Sequence, residues 1–110
     1  MQVRDVMTAS VDTIDCNDTI QTAAARMRDN NFGSMPVCDG DRIIGVITDR
    51  DIATRAVAEG GMIEQSVSQV MTPEIVHVSS DASTTDAAKL MAEKQVRRLY
   101  VIDNDKLTGV

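Results

Sequence analysis

The chain has 110 residues, a size that limits it to one compact domain or two small half-domains. It carries 11 Lys and Arg against 17 Asp and Glu, and the resulting net charge of −6 disfavours nucleic acids and anionic membranes as partners. Phe32 and Tyr100 are its two aromatic residues, so the core must be built from aliphatic side chains and methionines.

Cysteine and histidine are too scarce for a structural zinc site, because Cys16, Cys38 and His77 cannot supply four ligands. We therefore expect no metal. Met1 leads directly into charged sequence, and no run approaches the roughly 18 apolar residues of a membrane span. These features predict a cytoplasmic protein with both thiols free and no membrane segment. The sequence contains no Ser-His-Asp or Cys-His set, so we predict no catalytic residue and no enzyme.

Strand and helix patterns alternate along the first half of the chain. A β-branched run at 11–14 predicts a strand, and Asn17-Asp18-Thr19 then supplies helix-capping side chains. Ile20, Ala23, Ala24 and Met27 follow at the spacing of one helix face, with the alanines expected to let the helix lie close to a sheet. Two strands are predicted at 35–38 and 42–47, joined by a turn at 39–41. A second helix is predicted from Thr48 to about residue 58, ended by Gly60-Gly61.

The second half repeats the first with an offset of 64 residues. Of the 46 pairs formed without gaps, 12 are identical, against about three expected from typical residue frequencies. The identical pairs include Val6-Met7-Thr8 with Val70-Met71-Thr72 and Gly45-Val46 with Gly109-Val110. This similarity indicates a duplication.

The repeat predicts the same elements again, namely strands at 75–78, 99–102 and 106–110 and a helix whose stripe is Thr84, Ala87, Ala88 and Met91. The fold class is therefore α+β, with two β-α-β-β-α repeats. We expect the first repeat at 1–62 and the second at 63–110, joined by a linker at about 60–69. By the offset, the closing helix of the second repeat would begin near position 112, so we expect that repeat to be truncated.

The segment from Gly45 to Asp51 leads from a strand into a helix and is the most informative stretch of the chain. Helix N-termini offer unpaired N–H groups that suit phosphate. Thr48 and Asp51 are three residues apart, so they project to the same side of the first turn. A carboxylate there can accept the two hydroxyls of a ribose. Thr-x-x-Asp is also the pattern of a capping box, so a purely structural role stays open.

The ordered set of motifs, occurring twice, resembles a tandem pair of CBS domains, the cystathionine β-synthase type of regulatory module. The resemblance covers essentially the whole chain and rests on the Val-Met-Thr openings, the Gly-Val-Ile-Thr-Asp-Arg-Asp segment and Gln-Val-Arg-Arg-Leu-Tyr-Val-Ile-Asp. It is similar in particular to stand-alone bacterial CBS-pair proteins. The resemblance implies a non-catalytic module that binds AMP, ADP, ATP or S-adenosylmethionine in a cleft between the two repeats. The ligand would act by changing the relative orientation of the repeats.

The resemblance also implies the ligand contacts. The family pattern matches Gly45, Val46, Thr48 and Asp51, so Asp51 would hold the ribose hydroxyls and Thr48 the ribose or phosphate. The adenine would pack between two segments, represented by Thr13, Ile14 and Cys16 and by Gly33, Ser34, Met35 and Pro36. Arg97 and Arg98 are candidates for the phosphate, Arg98 more so, although a solvated pair or a surface ion pair explains them equally well.

The sequence departs from the family pattern in two places, since the second Thr/Ser-x-x-Asp motif is missing and Tyr100 stands where the first repeat has Pro36. The missing motif favours an alternative function. An incomplete apolar layer in the second repeat would need a partner to cover it, and we expect a homodimer. The alternative is therefore a structural homodimerisation module with no small-molecule ligand.

Overall fold

The computed structural model describes residues 1–9, 11–96, 98–104 and 106–110, and it divides the chain into two compact units. The central unit is Asp12–Glu74, and the terminal unit combines Met1–Val11 with Ile75–Val110. Each unit contains a three-stranded mixed sheet with an amphipathic helix. The predicted α+β class with two related repeats is confirmed.

In the central unit, β1 (Ile14–Asp15) pairs in parallel with β2 (Ser34–Asp39), which pairs antiparallel with β3 (Arg42–Thr48). Ile14 lies opposite Val37, and the β2–β3 hairpin places Ser34 opposite Thr48. Gly40 has a φ of +65° in the tight turn, a conformation that glycine adopts without steric cost. The hairpin register therefore brings the start of β2 beside the end of β3.

Helix α1 (Ile20–Asn30) begins as its sequence predicts, because the Thr19 hydroxyl accepts the N–H of Thr22 at 3.1 Å. Its buried stripe is Ile20, Ala23 and Met27, and these side chains join the core of the central unit. The helix ends at Asn31, whose φ of 56° is left-handed.

Helix α2 is a single α-helical turn, Asp49–Asp51, that continues as a π-helical segment, Ile52–Val57. The predicted helix at 48–58 is therefore present, but most of it is wider than an α-helix. The Thr54 hydroxyl donates to the Arg50 carbonyl at 2.7 Å, and that carbonyl is the one an α-helix pairs with the Thr54 N–H. Because this bond competes with the α-helical ladder, the backbone bonds shift by one residue, as between the Ala58 N–H and the Ala53 carbonyl.

The terminal unit repeats this arrangement. Its strands are β4 (His77–Val78), parallel to β5 (Tyr100–Asp103), and β6 (Lys106–Gly109), antiparallel to β5. Helix α3 (Thr84–Lys94) is capped by Ser83, whose hydroxyl accepts the Asp86 N–H at 3.1 Å. It ends at Gln95 with a left-handed φ of 56°. Capping, length and helix end therefore match those of α1.

In each unit, the sheet comes from one sequence repeat and the Val-Met-Thr segment that packs on it comes from the other repeat. Thr72 exchanges two backbone hydrogen bonds with Val46 after the centre of β3, at 2.8 and 2.9 Å. Thr8 makes the same pair with Val110 after β6, both at 3.0 Å. A Cβ on Gly45 would lie 2.9 Å from the Thr72 oxygen, and one on Gly109 would lie 2.9 Å from the Thr8 oxygen. The repeated glycine is therefore required by the close approach of a backbone segment.

Two local predictions are wrong. The strands expected at 11–14 and 75–78 are only two residues long and lie later, at Ile14–Asp15 and His77–Val78, because pairing with β2 and β5 is confined to those residues. The second alanine of each helix stripe is exposed, Ala24 in α1 and Ala88 in α3. Each lies one position after the buried alanine of its helix, Ala23 or Ala87.

The compact units do not follow the boundaries expected for the repeats. The sequence predicts repeats at 1–62 and 63–110, whereas the units change at 11/12 and 74/75 because the Val-Met-Thr segments pack on the other repeat's sheet. The repeat boundaries describe sequence similarity and stay a prediction.

Candidate functional site

Thr48 and Asp51 converge at the beginning of α2. The Thr48 hydroxyl accepts the Asp51 N–H at 3.0 Å, and Asp51 Oδ2 accepts the Thr48 N–H at 3.1 Å. This reciprocal pair is a capping box. The structural role of the motif is therefore real, and the two side chains share one side of the turn as their spacing predicts.

Asp51 is the buried charged residue of the part of the chain that the structure describes, with 7% of its surface exposed. Thr72 donates its hydroxyl toward both carboxylate oxygens, each at 3.3 Å. The Arg55 guanidinium lies 3.8 Å from Asp51 Oδ1 and donates to the Met71 carbonyl at 3.2 Å. Since a buried charge is costly without partners, these groups and the capping bond explain why the carboxylate tolerates burial.

Thr72 and Arg55 belong to the site without having been predicted, although both leave a signal in the sequence. Thr72 ends the repeated Val-Met-Thr motif, and Arg55 is four residues after Asp51, the spacing of an ion pair on one helix face. Arg55 is about half exposed, so its attraction to Asp51 is weakened by solvent. The contact of Thr72 with Asp51 spans 21 residues and could not be predicted from local spacing.

The segment before and within β2 lies beside this turn. The Gly33 carbonyl accepts the Asp49 N–H at 2.9 Å, and Ser34, Met35 and Pro36 pair with Thr48, Ile47 and Val46 of β3. A Cβ on Gly33 would lie 3.1 Å from the Asp49 carboxylate. Gly33 and Ser34 therefore lie next to the Thr48–Asp51 turn, and Met35 and Pro36 follow them along β2.

The third predicted segment lies along β1, on the other side of β2. Cys16 donates its N–H to the Cys38 carbonyl at 2.9 Å, and the Thr13 carbonyl accepts a hydrogen bond from Arg26. Ile14 and Met35 are 1% and 0% exposed and belong to the core of the central unit. Their side chains serve packing, so the surface they offer to a ligand is backbone.

The arginines predicted to contact phosphate belong to the second sequence repeat. Arg98 is exposed and lies at the rim of a cavity of the terminal unit. Arg97 lies outside the described residues. Phosphate contacts by this pair stay a prediction.

Both thiols are in surroundings that disfavour the thiolate. Burial raises the pKa of the Cys38 thiol, and desolvation raises that of Cys16, with the Asp15 carboxylate adding to both effects. The described residues contain no cluster of three or more His, Cys, Asp or Glu able to hold a metal ion. Among the same residues, no helix combines the length and apolar character needed to cross a membrane.

The comparisons with known proteins agree on one family. The CBS domain model matches residues 3–58 and again 67–110. The CBS domain-containing protein YhcV of Bacillus subtilis is 43% identical over 108 residues, which are 98% of this chain and 77% of that protein. Hypoxic response protein 1 of Mycobacterium tuberculosis is 35% identical over 109 residues, covering 97% of this chain and 76% of that protein.

Solved structures show the same fold. The crystal structure of Hypoxic Response Protein I with two coordinated zinc ions has a TM-score of 0.88 at 33% identity, covering 99% of this chain and 90% of that one. The crystal structure of CBSX2 in complex with AMP has a TM-score of 0.85 at 26% identity, covering 98% and 87%. Pairs of CBS domains are regulatory modules, and nothing in these names indicates catalysis. This chain belongs to the CBS domain family and is a tandem pair of CBS domains.

Proposed function

We propose that this chain is a non-catalytic regulatory module that binds an adenosine-containing ligand, such as AMP, ADP, ATP or S-adenosylmethionine, with its ribose at Thr48 and Asp51. The observation that carries the proposal is the convergence of a hydroxyl and a buried carboxylate at the first turn of α2. CBSX2, a similar protein, has been crystallised in complex with AMP, and this supports an adenosine-containing ligand.

The carboxylate of Asp51 retains capacity for a ribose. Two carboxylate oxygens provide about four acceptor sites. Among the described residues, the Thr48 N–H donates to them at 3.1 Å and the Thr72 hydroxyl makes two long contacts of 3.3 Å, while the Arg55 guanidinium lies 3.8 Å from Oδ1. The neighbouring ribose hydroxyls are two donors that match the fork of a carboxylate. Binding would thus add charge-assisted hydrogen bonds to a carboxylate that the fold already holds in place.

Calorimetric titration with AMP, ATP and S-adenosylmethionine tests the proposal, using D51N and the matched variant D49N. Both remove one acid from the same helix turn, but Asp49 is exposed and Asp51 is buried. We expect D51N to lose at least about tenfold in affinity, the effect of one or two charge-assisted hydrogen bonds, and D49N to bind as the parent chain does.

Ribose-specific binding can be separated from general damage with 2′,3′-dideoxy-AMP. This probe lacks both hydroxyls, so we expect it to bind the parent chain and D51N equally. Equal loss of AMP affinity in D49N and D51N, or unchanged affinity in D51N, would show that Asp51 serves only as a helix cap. The expectation that the ligand changes the relative orientation of the repeats stays a prediction.

A second candidate function, homodimerisation without a ligand, is favoured by exposed apolar side chains of the central unit. Val57, Met62 and Ile63 are 69%, 67% and 53% exposed and lie close together in the sequence. Sedimentation equilibrium of the parent chain and of M62S/I63S tests this candidate. A dimer that M62S/I63S disrupts, combined with no heat from any of the three ligands, would favour it over the first proposal.

A further inference from the structure

The buried carboxylate of Asp51 is covered by the exposed side chain of Arg55. The side chain of Asp51 is 10% exposed and that of Arg55 is 53% exposed, and Arg55 Nε lies 3.8 Å from Asp51 Oδ1. The same guanidinium donates to the Met71 carbonyl at 3.2 Å. Among the described residues that contact this carboxylate, Arg55 is the exposed one, and Thr48 and Thr72 are half-buried. Arg55 therefore lies between the carboxylate and solvent.

Arg55 is also the partner of Asp51 that can leave at the lowest cost. The Thr48 N–H belongs to the backbone of the capping box, and Thr72 is held in place by two backbone hydrogen bonds to Val46. The attraction between Arg55 and Asp51 is weak by comparison, because the two groups are 3.8 Å apart and the guanidinium is half exposed to water. A ribose that binds Asp51 thus displaces Arg55 and leaves the other two contacts intact.

A displaced guanidinium beside the ribose is well suited to phosphate. The planar fork of arginine binds phosphate oxygens in pairs, and the 5′ phosphate of a nucleotide is joined to its ribose through a single methylene group. The net charge of −6 repels an anionic ligand in general, so a nucleotide needs a cation close to its binding site. Arg55 is in the same unit as Asp51, whereas Arg98 belongs to the terminal unit.

We propose that Arg55 determines the ligand specificity of this site, because its guanidinium exchanges the Asp51 carboxylate for the ligand's phosphate when an adenine nucleotide binds. The inference rests on the proposed ribose contact of Asp51. The exchange leaves both charges paired, since the carboxylate receives the ribose hydroxyls and the guanidinium receives the phosphate. S-adenosylmethionine has a sulfonium cation where a nucleotide has its first phosphate, and adenosine has no charge there. The site therefore selects AMP, ADP or ATP over both.

Calorimetric titration with AMP and adenosine, which differ only in the phosphate, tests the proposal on the parent chain, R55Q and the matched variant R28Q. Arg28 also pairs with an aspartate of the central unit, Asp29, at 2.9 Å. We expect the parent chain to bind AMP at least about tenfold more tightly than adenosine. R55Q should bind AMP about tenfold more weakly than the parent chain. It should bind adenosine about twofold more tightly, because the covering ion pair is gone. R28Q should bind both as the parent chain does.

Opposite changes for the two ligands distinguish this role from a structural one, because a damaged site would bind both more weakly. An equal loss for AMP and adenosine in R55Q, or a preference for AMP as large as that of the parent chain, would overturn the proposal. So would tighter binding of S-adenosylmethionine than of AMP by the parent chain. Each of these results leaves the ribose contact in place if D51N weakens AMP binding. A parent chain that binds none of the three ligands, or AMP binding that D51N does not change, would refute the ribose contact itself.

Discussion

Gly45 offers a direct test of how the repeated Val-Met-Thr segment packs on the central unit. In G45A, the new Cβ would lie 2.7 Å from Met71 Sδ and 2.9 Å from the Thr72 carbonyl oxygen. Gly45 is buried in β3 and has no positive φ, so alanine introduces no backbone strain of its own. The entire cost of the substitution is therefore steric.

The magnitude depends on whether these neighbours can retreat. The Met71 side chain can rearrange, but the Thr72 backbone is held by hydrogen bonds of 2.8 and 2.9 Å to Val46. Overpacking of a buried site costs about 1–3 kcal/mol. Alanine recovers about 0.5–1 kcal/mol by restricting the unfolded chain. The midpoints of these two ranges give a fall of about 1.3 kcal/mol in the free energy of unfolding of G45A, with a Tm lower by at least about 4 °C.

Urea denaturation followed by circular dichroism measures this difference, with G33A as the matched control. Gly33 is exposed, and a Cβ there would meet the end of the exposed Asp49 side chain at 3.1 Å, which can move aside. We expect G33A to stay within about 0.5 kcal/mol of the parent chain. A G45A variant as stable as G33A would refute the close packing of Met71 and Thr72 on β3.

Three further predictions address single contacts. T72V removes the hydroxyl near Asp51 at almost constant volume, so we expect urea denaturation to show a loss of about 1 kcal/mol, and an unchanged midpoint would contradict the contact. The Ser80 backbone N–H, which donates to Asp103 at 3.0 Å, lowers the pKa of Asp103, with further help from Thr108. A carboxyl whose pKa is lowered by folding contributes stability above its ordinary pKa of about 4, and this stability is lost as the pH falls through the folded-state pKa. D103N should therefore weaken the dependence of the free energy of unfolding on pH between about pH 4 and 2. Equal pH dependence in D103N and the parent chain would contradict the prediction. Desolvation is the main cause of the raised pKa of Cys16, and the Asp15 carboxylate is the next. Because D15N removes that charge, it should speed the alkylation of Cys16 at pH 8, by no more than about tenfold. A slower reaction in D15N would contradict the charge effect.

Helices and hairpins could be predicted from the sequence because their determinants are local. The stripe of Ile20, Ala23 and Met27 behind Thr19 predicts a helix of about three turns, which α1 is, and its copy predicts α3. The turn at Gly40 likewise joins β2 to β3 as expected. Strand pairing is less local, and this explains why β1 and β4 are shorter and later than the β-branched runs suggest.

The site was only partly predictable for the same reason. The spacing of Thr48 and Asp51 places both on one side of a helix turn, and it leaves both a helix cap and a ribose contact open. Burial of Asp51 depends on Thr72, which is 21 residues away, and burial of Ile14 and Met35 depends on packing within the unit. None of these effects has a signature in nearby residues.

The duplication, the order of the elements and the capping motif follow from the sequence alone. Periodicity and capping depend on residues that are close together in the chain, and the duplication is found by aligning one half of the sequence with the other. The tertiary structure decided which sheet each Val-Met-Thr segment joins. It also decided that the Asp51 carboxylate is buried beside Thr72, 21 residues away in the sequence. These outcomes depend on contacts between distant residues, whose free energies come from burial and close approach in space.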